Sequence, residues 1–451
     1  MDSKVRDDQS LAPVHEPGRS PSPAAVLDVI LLSGKVLFAN GQTTEKIVFA
    51  LQELAAAGGF QVTLFANWGE LTVHLKNNAN SYSETITVEP AGVDMSKVSA
   101  TMNAIHRVCA GKMDFSSARS ALQEISESGP VSVARFALLA GAGAAALGVI
   151  FGVDHPASLI LIALIAGAGA CLRRWLARLS HNLFVQPFCA AFLAGIAGAI
   201  AVRLNLSSDQ RLIAVCPCMI LVPGPHLLSG ALDLARARIP LGIARIVYAT
   251  VVTLTISTGL VLGLALGGVG LPPSGVSAIV PLGYDVLAAG VAVAAYGTFF
   301  NMSWQTLPIP IAIGMLAHGC RWSAITLAGV NPATGALIAC LIVGTLMTPI
   351  ADRLRLPFAG LAFASVVSLI PGSYLFRMAG GMAGLLAART EAGPDLFFQV
   401  MADATGAILI VVAMTFGLVI PRTCLANVSQ PITLAGRKSV SPKNRTTSKS
   451  G

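Results

Sequence analysis

The sequence predicts an all-α polytopic membrane protein: about ten transmembrane helices as two inverted five-helix repeats, with a small N-terminal α+β cytoplasmic domain. Three observations lead there. Of 451 residues, 54% are hydrophobic and only 12% are charged, about half the charged fraction of a soluble domain. Apolar runs long enough to cross a bilayer recur from residue 131 to residue 421. One interrupted run, LVPGPHL at Leu221–Leu227, returns 148 residues later as LIPGSYL at Leu369–Leu375. A Pro-Gly pair inside an apolar helix costs about 3 kcal/mol or more. Its duplication therefore points to two copies of one unit, each with an interrupted span.

Charge divides the chain. Residues 1–130 hold 10 Lys+Arg against 14 Asp+Glu, whereas residues 131–451 hold 20 against 8. Such a pattern belongs to topology-setting flanks and a tail, and it excludes a nucleic-acid surface. The eight cysteines show no paired spacing, and Cys216 and Cys218 merely flank a proline. They read as small buried thiols.

From the start, residues 1–23 are polar and proline-containing, which predicts a disordered N-terminal tail. Residues 24–130 read as the cytoplasmic α+β domain. An apolar stretch, Val26–Asn40, leads to a helical pattern opened by Thr43, Thr44 and Glu45 and stopped at Gly58-Gly59. Strands follow at Gln61–Ala66, Glu70–Lys76 and Thr85–Glu89, then helices at Met95–Ala110 and Phe115–Ser126. Gly129-Pro130 separates this part from the apolar body. His74 and His106 lack partners at ligand spacing, so no metal site is expected.

The spans expected in residues 131–270 are Ala134–Gly152, Ala157–Leu172, Phe184–Val202, Leu212–Leu232 and Gly242–Leu266. Those in residues 271–421 are Tyr284–Phe300, Leu307–His318, Pro332–Ile350, Phe358–Leu386 and Leu396–Ile420. Inside loops then carry Arg173, Arg174, Arg178, Arg236, Arg238, Arg245, Arg353 and Arg355. The tail, residues 422–451, is basic and also inside, while outside loops keep only Arg203, Arg211, Arg321 and Arg389. Both termini are expected in the cytoplasm, with the chain in the cell (inner) membrane. The breaks fall in spans four and nine. An odd number of spans per copy turns the second copy over relative to the first.

Three stretches resemble the threonine/serine exporter family (ThrE-like), in its fused two-half form. They are GQTTEKIVFALQELAAAGGFQVTLFANWGELTV from Gly41, VPGPHLLSGALDLARARIPLGIAR from Val222, and RLRLPFAGLAFASVVSLIPGSYLFRMAGG from Arg353. The resemblance spans residues 25–421. It implies a cytoplasmic N-terminal domain, a ten-span body, and export of threonine and serine driven by the proton motive force. Some relatives carry the two halves as separate chains and are linked to dicarboxylate export, which is the alternative reading.

Substrate-binding candidates follow from the breaks. Pro223 and Pro371 each free a carbonyl, and Gly224 and Gly372 let the backbone leave helical angles. A helix restarting there aims its amide ends at a carboxylate. His226 and Tyr374 stand at equivalent places just after the breaks, where either can hydrogen-bond a hydroxylated amino acid. Arg377 can hold a carboxylate with two hydrogen bonds or pair with an acid. Asp403 lies within the last span and Asp233 follows the first break; both are candidates for proton coupling. Thr250, Thr253, Thr255, Ser257 and Thr258 make span five hydroxyl-rich, and most should bond back to their own helix. The spans lack a convergent set of nucleophile, base or metal ligands, so no catalytic residue and no cofactor are assigned. Enzyme and channel readings rank below a proton-coupled antiporter. Expected partners are a small-molecule substrate, protons and lipid, with a second copy of the chain left open.

Overall fold

The computed structural model describes residues 21–90, 92–180, 182–206, 210–270, 280–354, 356–388 and 394–429. Most of the N-terminal tail, the chain beyond residue 429, Arg355 and Arg389 lie outside the described residues.

The apolar stretch at the start is a helix, α1 (Pro23–Ala39), opened by the Ser22 hydroxyl accepting from Ala25 N–H at 3.2 Å. Helix α2 (Thr44–Ala57) stops at the two glycines, and Gly59 takes a positive φ of 81° that suits glycine. Strands β1 (Gln61–Asn67), β2 (Gly69–Lys76) and β3 (Ser81–Val88) form an antiparallel meander in that order. The third strand begins at Ser81 opposite Lys76, four residues before the predicted start. Its first residues are mostly polar on both faces, so alternation could not reveal them; the ladder to β2 extends it. Helices α3 (Met95–Cys109) and α4 (Phe115–Glu127) have Asp94 and Asp114 as N-caps. These elements share one apolar core, to which Leu241 from the body also contributes.

The body contains α5 (Val133–Ile150), α6 (Pro156–Leu179), α7 (Val185–Arg203), α8 (Gln210–Met219), α9 (Gly224–Ala235) and α10 (Ile239–Leu266). It continues with α11 (Leu282–Phe299), α12 (Pro308–Ala328), α13 (Pro332–Arg353), α14 (Phe358–Val366), α15 (Gly372–Ala388) and α16 (Pro394–Ser429). Eight of these helices are long and apolar enough to cross a membrane. The pairs Leu212–Met219 with Gly224–Ala235 and Phe358–Leu369 with Gly372–Leu386 qualify together, bent by 52° and 61°. The described residues thus give eight spans, or up to ten with each bent pair as one.

Three spans run well past their predicted ends, and the last of them, α16, continues through Arg422, expected in the tail, to Ser429. Helix α6 continues through Arg173 and Arg174, whose guanidinium groups lie over Phe299 and Phe136 at 4.8 and 4.6 Å. Aromatic faces accommodate those charges within the helix. Helix α12 continues past His318, so Arg321, expected in a loop, lies inside a span.

Packing partners recur between the halves. Helix α7 packs on α10 as α13 packs on α16, α5 on α6 as α11 on α12, and α9 on α10 as α15 on α16. Glycines allow the closest approaches: a Cβ on Gly263 would lie 2.4 Å from Phe192 O, and one on Gly417 would lie 2.5 Å from Cys340 Cβ. The Gly- and Ala-rich run of α5 works likewise, with Gly141 against Ala163 and Gly143 against Ala295. Thr250, Thr253, Thr255 and Thr258 all donate to carbonyls four residues earlier on α10.

Candidate functional site

Each break is a local solution to a missing N–H. Pro223 cannot donate to Met219 O, and Tyr296 Oη of α11 donates to it instead at 2.7 Å. Pro371 leaves Val367 O, which accepts Ile370 N–H at 3.2 Å in a short 3-10 turn. In both breaks the glycine N–H reaches back across the proline, Gly224 to Val222 O at 2.9 Å and Gly372 to Ile370 O at 2.8 Å. Pro223, at φ −83° and ψ 61°, has the inverse γ-turn geometry this requires. The groups that the sequence offers to a substrate are therefore largely bonded within the protein.

The two breaks touch crosswise. A Cβ on Gly224 would fall inside the ring of Phe363, which precedes the second break on α14. One on Gly372 would meet Met219, which precedes the first break on α8, at 2.9 Å. Between them lies an apolar crevice of about 30 Å³, walled by Val222, Gly224, Phe363, Ile370, Pro371 and Met414 of α16. That space suits one or two waters. It is too small for an amino acid.

His226 and Tyr374, equivalent in sequence, face different surroundings. His226 is buried in an aromatic cluster, 5.0 Å from Tyr248 of α10 and 6.4 Å from Trp68 at the β1–β2 turn. Tyr374 lies under the guanidinium of Arg377, 4.6 Å from ring centre to carbon, and against Gly406. Arg377 holds Asp403 with two hydrogen bonds, Nε donating to Oδ2 at 3.0 Å and Nη2 to Oδ1. This pair forms part of the wall of a cavity of about 840 Å³ between the late turns of α10 and α15 and the first turns of α16.

Asp233 is elsewhere. It accepts from Thr44 Oγ1 at 3.2 Å and pairs with Arg245 at 3.2 Å and Arg238 at 3.5 Å. Arg236, three residues after Asp233, reaches Glu45 of α2 at 2.6 Å. Burial pushes the Arg236 guanidinium down, and the Glu45 carboxylate beside it pushes it back up. Lys46 and Arg422 share Asp352, each at 2.7 Å. The start of α2 thus ties the ends of α9, α13 and α16 together and reaches α10 through the Asp233–Arg245 pair. The Arg377–Asp403 cavity lies at the opposite end of the body, since the N-terminal segment meets the start of α10 where the Phe38 ring lies under Arg245, and the late part of α16 where Glu45 faces Arg422.

Comparison with known proteins places both halves. The family described as "Putative threonine/serine exporter" matches residues 28–267, and "Threonine/Serine exporter, ThrE" matches residues 285–424. The chain belongs to the threonine/serine exporter family. A "Probable threonine/serine exporter" of Mycobacterium tuberculosis (strain ATCC 25618 / H37Rv) is 25% identical over 374 residues. That alignment covers 78% of this chain and 69% of the relative. No solved structure matches. The first family match ends at the close of α10 and the second begins within α11, so each contains one break.

In this member of the exporter family, several polar residues come together that sequence spacing did not connect. His318 Nδ1 and Asp285 Oδ2 are 2.5 Å apart, with side chains 1% and 5% exposed. Arg321 lies within electrostatic reach of Asp285 and Tyr374. The only sequence signal was an acid one turn into span six and a histidine in span seven, 33 residues apart. Tyr296, Trp68 and Arg245 also went unread, because their roles come from partners 77, 158 and 12 or more residues away, respectively, in the chain.

Proposed function

We propose that this chain is a secondary active exporter of small hydroxy amino acids, threonine and serine, working by proton-coupled antiport in the cell membrane. Family membership and the name of the mycobacterial relative support amino-acid export. The observation that carries the site is the crosswise contact of the breaks, Phe363 on Gly224 and Met219 on Gly372. Two chain interruptions brought face to face form a hinge that two bundles can open and close.

The recurring packing partners support two five-helix repeats, residues 131–270 and 271–421, of opposite orientation. Residues 24–130 then form a cytoplasmic domain seated over the inner ends of both. In this reading the described state is closed at the breaks. Substrate enters when Phe363 and Met219 withdraw, and backbone groups at Pro223, Gly224, Pro371 and Gly372 line its path. His226 senses the cytoplasmic side of that path, and Tyr374 the outer side. Arg377 exchanges Asp403 for the substrate carboxylate: a proton on Asp403 weakens the pair and frees the guanidinium. Asp233, tied on three sides, anchors α2.

Counterflow in proteoliposomes tests the reading. Labelled threonine should accumulate against unlabelled threonine or serine, and an imposed pH gradient should drive it further until a protonophore is added. Counterflow with succinate in place of threonine would transfer the chain to the dicarboxylate branch. Flux indifferent to the proton gradient would make it a channel or uniporter.

A further inference from the structure

We infer that Asp285 and His318 form a proton-binding site inside the second half, with His318 Nε2 as the atom that takes the proton. The inference rests on the proton-coupled reading above and gives it an additional site. His318 is 1% exposed, and its Nδ1 is 2.5 Å from Asp285 Oδ2. When the Nδ1–H donates to the carboxylate, the lone pair is fixed on Nε2. That nitrogen is buried and has no hydrogen-bond partner among the described residues. An open acceptor in an apolar interior is costly to maintain.

Packing does not require the pair. Counted back by the 148-residue offset between the breaks, the corresponding positions on α5 and α6 are Ala137 and Ala170, within a small apolar cluster. The arginine on α12 does have a counterpart, since Arg321 matches Arg173. One half therefore closes this helix pair with two alanines, and the other places an acid and a base there.

The surrounding charges make the site workable. Helix α12 supplies Arg321, which has Asp285, Cys340 of α13 and Tyr374 of α15 within its electrostatic reach. Helix α14 carries no titratable side chain, and the lone arginine of α5, Arg135, is bonded to Thr298 and Met302 at the far end of α11. With Arg321 balancing Asp285, neutral His318 leaves the group without net charge, and a proton on Nε2 makes it +1. The formal sum remains small in both states, which limits the cost of burial. Tyr374 also carries Arg377 on its ring, which joins the site to the Arg377–Asp403 cavity. Helix α11, which holds Asp285, packs against the turn before the second break, so a charge change at the pair can bias that hinge.

The test uses the full chain in proteoliposomes with His318→Gln, Asp285→Asn and the double variant Asp285→Ala/His318→Ala, which copies the alanines of the first half. Threonine exchange at equal pH should stay within about twofold of wild type, while pH-gradient-driven flux falls about tenfold or more. A merely structural pair would lower both together or neither. Gradient-driven flux retained in all three variants would overturn the proposal. A loss of both activities in a well-folded double variant would do so too. Nitrogen NMR of histidine-labelled protein in nanodiscs reads the site without transport, with His318 identified by the Gln variant. Lowering the pH should replace the neutral-tautomer signal of His318 by that of the imidazolium; a neutral tautomer that persists at every pH at which the protein stays folded would overturn the proposal. A wild-type protein that exchanges no threonine would sink the export reading alone, leaving the NMR result to decide the proton site.

Discussion

Gly224 and Gly372 occupy the same place in two breaks, yet they face neighbours of different stiffness. The Phe363 ring stands where a Cβ at 224 would go, whereas Met219 meets residue 372 with a flexible thioether. Gly224→Ala should therefore destabilise by about 3 kcal/mol and Gly372→Ala by about 1 kcal/mol or less. Thermal unfolding in detergent reads the difference, and Phe363→Ala should recover part of the first loss. Asp233 makes a second residue-scale case. Its carboxylate is the counter-ion of Arg245, a guanidinium 1% exposed. Asp233→Asn leaves that charge buried and should cost about 3 kcal/mol. A variant of unchanged stability that has lost its pH response would instead return Asp233 to proton coupling.

Among the elements, the β1–β2 hairpin does work at a distance from its own sheet. Its turn residue Trp68 packs, with tilted rings, 4.9 Å from Tyr248 and 6.4 Å from His226, beside the first break. The start of α2 bonds to charged groups of α9 and its C-cap, α13 and α16. The hairpin and α2 are thus two separate attachments of one segment to the body. Trp68→Ala removes two aromatic contacts, worth about 0.5–1.5 kcal/mol each. Limited proteolysis should then release the N-terminal segment faster, while the charged attachment still holds it. Raising ionic strength should speed release further by screening the exposed members of that cluster.

For the whole molecule, the halves meet along several seams: α5 on α11, α9 on α14, α8 on α15, and α10 on α15. Covalent continuity between residues 270 and 280 should then be dispensable. Two chains, residues 1–270 and 280–451, co-expressed with a tag on one, are expected to co-purify and to exchange threonine. Recovery of the tagged half alone would show that the seams are too weak to assemble it.

Hydrophobic period and length, which act locally, were enough to find the apolar helices, the three strands and both breaks, though not the ends of β3, α6, α12 and α16. The sequence echo also carried the equivalence of Pro223-Gly224 and Pro371-Gly372, because identical breakers impose identical turns. Partner choice escaped it. Nothing in the spacing sends Tyr296 to Met219 O, Trp68 to His226 or Asp285 to His318, since these pairs are set by which helix faces abut. Arg377 and Asp403 were read as candidates one by one, and only folding joined them in a single ion pair. By itself, then, the sequence determined the membrane class, the duplicated break and the family to expect. The tertiary structure decided that the breaks meet and where buried charge is paired, because burial makes polar groups seek partners at any separation along the chain.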